Sequence, residues 1–184
     1  MRAAEIVDHP HTTAHVVSVL AVAELTAGLR EAAMPLAMAG RAIAQHHGFT
    51  YWSAWCGIIL ADLEPGRSTT RVLCALTRAI RDYEATSARQ ALPFSYMLLA
   101  NRALDDGQDS AALDALDHGL QAADATGVAC YTPELLRLYS ICRYRLGFGD
   151  FRNHLRQARR KAAQGDAKLF EKRIASTMLE IPLR

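Results

Sequence analysis

The chain has 184 residues, of which 51% are hydrophobic and 22% charged, and a formal net charge of +2. That balance allows a buried core and excludes an intrinsically disordered segment. Arg, Glu, His or Asp interrupts every apolar stretch before the roughly 18 residues that a membrane-spanning helix needs. Residues 1–8 have no apolar core of the secretory kind, so a cytoplasmic address is expected.

Apolar spacing and turn residues predict helices from end to end. Ala14, Val17, Leu20, Ala21 and Leu25 recur at steps of three and four over 11–27, and Gly28 ends the run. A second helix is expected from about 30 to 47, with Pro35 in its first turns and Gly48 past its end. The third, over 50–63, is aromatic at its start through Tyr51, Trp52 and Trp55 and stops at Glu64-Pro65-Gly66. Ser68 or Thr69 can cap the fourth, which reaches about residue 86 with Val72, Leu76, Ala79, Ile80 and Tyr83 on one side. Helices over 92–106 and 109–126 flank a Gly107 turn. Thr132-Pro133-Glu134 then supplies a cap, a first-turn proline and a first-turn acid. That helix ends at Gly147, and Gly149-Asp150 opens the next, to about 164. Gly165-Asp166 introduces a last helix over 167–179, closed by Pro182. No strand-like alternation of four or more residues lies outside these stretches, so the expected class is all-α.

Small residues at Ala42, Ala79, Gly119 and Ala158 recur at spacings of 37, 40 and 39. A period near 40 marks a helical-repeat array. The expected architecture is a right-handed α-solenoid forming one domain over 1–184. Its helix pairs lie at about 11–48, 50–86, 92–126 and 132–165, and a capping helix at 167–180 covers the open end.

The wording of 119–127 (Gly119-Leu120-Gln121-Ala122-Ala123-Asp124-Ala125-Thr126-Gly127) and of Tyr131-Thr132-Pro133-Glu134-Leu135-Leu136-Arg137-Leu138 resembles a known group. It is similar to the tetratricopeptide-like C-terminal region of large bacterial signalling ATPases, namely ATPase-coupled class III adenylate and guanylate cyclases and LuxR-type regulators. Asp8-His9-Pro10-His11, the Gly48 to Trp55 stretch and Tyr83-Glu84-Ala85-Thr86 look like that group's successive helix starts and ends, and the Lys168 to Ser176 stretch is similar to its closing helix. The chain carries no Gly-x-x-x-x-Gly-Lys-Ser/Thr loop, no cyclase domain and no DNA-reading helix-turn-helix. The resemblance therefore implies only the sensing or scaffolding portion, without a cofactor.

Candidate chemistry is sparse. His9, His11 and His15 are close in sequence, yet no Cys or Glu is placed to complete a zinc site. His46-His47 reads as a helix C-terminal pair. Asp105, Asp106 and Asp109 lack the ligand pattern of a calcium loop. No Gly-x-Ser-x-Gly elbow or His-Glu-x-x-His helix is present, so no enzymatic role is expected. Cys56, Cys74, Cys130 and Cys142 are widely spaced amid apolar neighbours and read as reduced, buried small hydrophobes.

Two surfaces remain. In a tetratricopeptide array the first helix of each pair lines the concave face, which would place Phe94, Met97, Asn101, Leu104 and Asp105 there. Tyr51, Ala54 and Ile58, and Glu134, Arg137, Ile141 and Tyr144, share that phase. Asn101 stands where peptide-binding arrays of this type place an asparagine against an extended backbone, so the expected partner is a protein segment or a small effector. The inter-repeat core is the expected place for Trp52 and Trp55. The second surface follows from charge, because residues 143–184 hold eleven Lys/Arg against four Asp/Glu. Arg152, Arg156, Arg159, Arg160 and Lys161 could meet nucleic acid or another anion, or form a solvated face with Leu155 and Ala158 turned inward. Self-association into a homodimer through an open array end is a third possibility.

Overall fold

In a computed structural model that describes residues 9–64 and 68–181, nine helices and no strand are found among the described residues. They are α1 (Pro10–Ala27), α2 (Arg30–His46), α3 (Thr50–Leu63), α4 (Thr69–Glu84), α5 (Leu92–Asp105), α6 (Asp109–Thr126), α7 (Thr132–Arg145), α8 (Phe151–Gln164) and α9 (Lys168–Glu180). The protein is all-α, with helix ends within about two residues of those expected. Residues 1–8, the Pro65-Gly66 break and Pro182 lie outside the described residues.

The turns carry much of this order. Gly28 adopts φ +90°, letting Leu29 N donate to Glu24 O at 2.8 Å and Gly28 N to Leu25 O at 3.0 Å. Gly107, at φ +70°, closes α5 in the same way through Gln108 N to Ala103 O at 2.9 Å. Left-handed backbone of this kind satisfies terminal carbonyls and reverses the chain, and glycine reaches it without a Cβ clash. Capping differs from expectation. Ser68 stands before α4 without a side-chain cap bond, and Tyr131, not Thr132, occupies the position preceding α7.

The chain divides into two compact units, Met1–Ala88 and Arg89–Arg184. In the first, α1 packs on α2, α2 on α3 and α3 on α4, and α1 also touches α3. In the second the same order holds for α5 to α8, α5 touches α7, and α9 packs on both α7 and α8. Corresponding helices begin 40 residues apart for α1 and α3 and again for α5 and α7.

Glycine supplies the close approach within each unit. On α2, a Cβ added to Gly40 would lie 2.9 Å from Cys56 Sγ, 3.0 Å from Ser18 Oγ and 3.1 Å from Val17 Cγ2. On α6, one added to Gly119 would lie 2.8 Å from Leu135 Cδ2 and 3.2 Å from Tyr96 Cβ. Each glycine thus sits where a second helix meets its own first helix and the next one. The expected marker Ala42 is exposed; the inward residue is Gly40, which brings the spacing to Ala79 to 39. Ser18 Oγ donates to Ala14 O at 2.6 Å, so its 3.2 Å contact with Cys56 is donated by the thiol. Gly40→Ala is expected to destabilise the protein by a net of about 1 kcal/mol, because overpacking of about 1–3 kcal/mol outweighs a helix-propensity gain of about 1 kcal/mol. Gly57→Ala on α3, where a Cβ meets nothing within 4 Å, is expected to stabilise. Urea denaturation of both variants checks the contrast.

Only two of the four cysteines fit the expected core role. Cys56 and Cys142 are buried, and burial pushes the Cys142 thiol up to about 12. Cys74 and Cys130 are exposed, the latter because it lies between α6 and α7 and not on a helix. All four are free thiols.

Candidate functional site

The first-helix face expected to bind a partner is largely core. Phe94 is 0% exposed and Met97 2%, with the Phe94 ring 5.3 Å from that of Tyr131. Leu104 and Ile58 are buried as well. The helical phase that brings these residues to one side aims that side at neighbouring helices, correcting the expectation for Phe94 and Met97. Ala54 is half-buried, as is Ile141. Tyr51 is half-buried among Trp52, Trp55 and Tyr83, with ring centroids 4.5, 5.5 and 5.6 Å away, and burial raises its phenol pKa.

Arg137 is also internal. Its Nε and Nη2 donate to Glu134 Oε2 and Oε1 at 2.8 and 2.9 Å, while Nη1 donates to Thr177 Oγ1 at 3.0 Å. Arg173 on α9 donates to Glu134 Oε1 at 3.0 Å. Glu134, 1% exposed, therefore holds α7 and α9 together, and Arg137 is a structural residue here. Of the expected contact residues, Asp105, which pairs with Arg102 at 3.6 Å, and Tyr144 are exposed, and Asn101 is half-buried like Tyr51, Ala54 and Ile141.

The histidines at the N-terminal end of the chain serve an aromatic cluster. Trp52 Nε1 donates to His11 Nε2 at 3.1 Å, which places the His11 ring proton on Nδ1, and His15 stacks on Trp52 at 4.7 Å. Trp52 is 7% exposed and packs with Ala14 and Ala44, as expected of a core residue. No group of three or more His, Cys, Asp or Glu is placed to hold a metal ion among the described residues. No described helix is long and apolar enough to cross a membrane.

The basic face of α8 is more open. Leu155, Ala158 and Ala162 turn inward at 0% exposed, against Phe170 and Ile174 of α9. The period of 3.6 then sends Arg156, Arg159, Arg160 and Lys161 outward, and all four are exposed. Arg156, Arg159 and Arg160 line a groove of about 580 Å³ with Asn153, Ala163 and, from α9, Met178. None of the four cations has an acidic partner among the described residues. Asp150, at the start of α8, is held by Arg143 at 2.6 Å, a bond that keeps its carboxyl below the usual range. Arg152 lies elsewhere: it is half-buried, with its guanidinium 5.1 Å from the Phe151 ring. The sequence thus names all three of the groove's arginines and misses Asn153, Ala163 and Met178, the last brought in by the way α9 lies along α8.

Comparison with protein-family models, curated proteins and solved structures finds no match for this chain.

Proposed function

We propose that the chain is a non-catalytic helical-repeat interaction module, and that it takes an acidic protein segment on the basic groove of α8. The observation that carries this reading is the convergence of Arg156, Arg159 and Arg160, none of them ion-paired among the described residues, on one groove of about 580 Å³. Guanidinium groups bind carboxylates through forked, charge-assisted hydrogen bonds. Met178 and Ala163 add apolar surface beside those charges, which suits a segment alternating acidic and apolar side chains. A net charge of +2 is small for a nucleic-acid binder, whose affinity rests on many phosphate contacts.

Helix pairs beginning at intervals of about 40 residues, each second helix drawn close by Gly40 or Gly119, support the repeat reading. In that reading the array is a right-handed solenoid, and α9 covers its last pair with Phe170 and Ile174. The resemblance of 119–138 to the C-terminal region of ATPase-coupled cyclases and LuxR-type regulators supports a role in bacterial signalling. The chain would supply recognition, and a separate protein the catalysis.

Fluorescence anisotropy with a labelled peptide rich in Glu and Leu, and with a single-stranded oligonucleotide at the same salt concentration, tests the partner class. Tighter binding of the peptide is expected. Preference for the oligonucleotide, with affinity falling steeply as salt rises, would transfer the groove to nucleic acid.

A further inference from the structure

The first unit carries a second groove, which its counterpart in the other unit shows to be a local departure. Residues 79 positions apart correspond in the two units: Gly40 with Gly119, Cys56 with Leu135, Leu76 with Leu155 and Ala79 with Ala158. On that register Gly57 of α3 corresponds to Leu136 of α7. Leu136 is buried against Leu155 and Ala158. At Gly57 a Cβ would meet nothing within 4 Å, and a groove of about 590 Å³ lies between α2 and α4 with α3 as its floor. Arg41 of α2 likewise corresponds to the half-buried Leu120. Where one unit has two leucines, the other has open space and a cation.

The groove's chemistry is bipolar. Its floor and walls are small and apolar at Ala44, Ala54, Gly57 and Ala79, while Arg41 stands on the α2 wall and Asp82 on the α4 wall. Both charged residues are exposed and neither has an ion-pair partner among the described residues. A volume of this size falls within the roughly 300–1,000 Å³ typical of small-ligand sites, which combine apolar walls with a few orienting polar groups. We propose that this groove binds a small zwitterion of amino-acid or dipeptide size, its carboxylate on Arg41, its ammonium on Asp82 and its apolar body over Gly57.

Isothermal titration calorimetry with the dipeptide Ala-Leu, its N-acetyl form and its C-terminal amide tests the assignment. The free dipeptide is expected to bind, and each blocked form to lose about tenfold or more in affinity. Gly57→Leu, which introduces the side chain present at Leu136, should abolish binding while circular dichroism shows unchanged helix content. Arg41→Gln at an exposed position should weaken the free dipeptide to the level of the amide, and it serves as the test if Gly57→Leu fails to fold. Absence of heat with Ala-Leu, equal binding of all three peptides, or full binding by a folded Gly57→Leu variant would overturn the proposal.

Discussion

Replacing Glu134 with alanine is expected to destabilise the unit formed by residues 89–184 by about 3–5 kcal/mol, the range for removing one partner from a buried ion pair. The carboxylate is 1% exposed and accepts from Arg137 Nε and Nη2 and from Arg173 Nη1, all within 3.0 Å. Its loss removes the carboxylate that both guanidinium groups share. Arg137, with 14% side-chain exposure, has little access to water, whereas Arg173 at 31% can turn outward. Arg173→Ala should therefore cost less than Glu134→Ala. Because Arg173 and Thr177 belong to α9, limited proteolysis should cut near α9 first in the Glu134 variant. Urea denaturation measures the energies; a loss under about 1 kcal/mol for Glu134→Ala would remove the ion network from the account of stability.

Trp52→Ala is expected to weaken the first unit by about 3–5 kcal/mol, as for other large aromatic residues truncated in cores. Trp52 is 7% exposed, stacks on His15 at 4.7 Å and on Trp55 at 5.5 Å, and donates its indole N–H to His11. Truncation removes the residue that joins α1 to α3 at this end, and the half-exposed neighbours Tyr51 and Trp55 cannot collapse into the space without breaking their contacts with Tyr83. The denaturation midpoint should fall with an unchanged denaturant slope. An unaltered midpoint would mean that the cluster is surface decoration.

Helices and turns were readable in the sequence because apolar spacing and glycine are local signals. Gly28 and Gly107 sit at left-handed turns where a glycine after an apolar run predicts one. The direction in which each face points was less legible. Phe94, Met97 and Asn101 look equally available on one helix, and only the packing of α5 against α6 and α7 buries the first two. Glu134 reads as a first-turn acid favoured by the helix dipole; that it faces inward depends on Arg173, 39 residues later. The small-residue period picks out Ala42, whereas Gly40, two positions away, reads only as a poor helix former until its neighbours Ser18 and Cys56 are known. The basic groove is half visible in the sequence: the local excess of Lys and Arg marks the arginines, whereas Met178 and the lack of acidic partners among the described residues depend on the fold.

The proposed recognition of an acidic segment by α8 rests on Arg156, Arg159 and Arg160. Anisotropy titrations of the Glu- and Leu-rich peptide should be run against Arg156→Glu/Arg159→Glu/Arg160→Glu and against a charge-matched variant at exposed positions outside the groove, Arg71→Glu/Arg78→Glu/Lys172→Glu. Loss of binding in the first variant and retention within about threefold in the second is the predicted result. Equal weakening in both, or none in either, would contradict the assignment of this groove as the binding site.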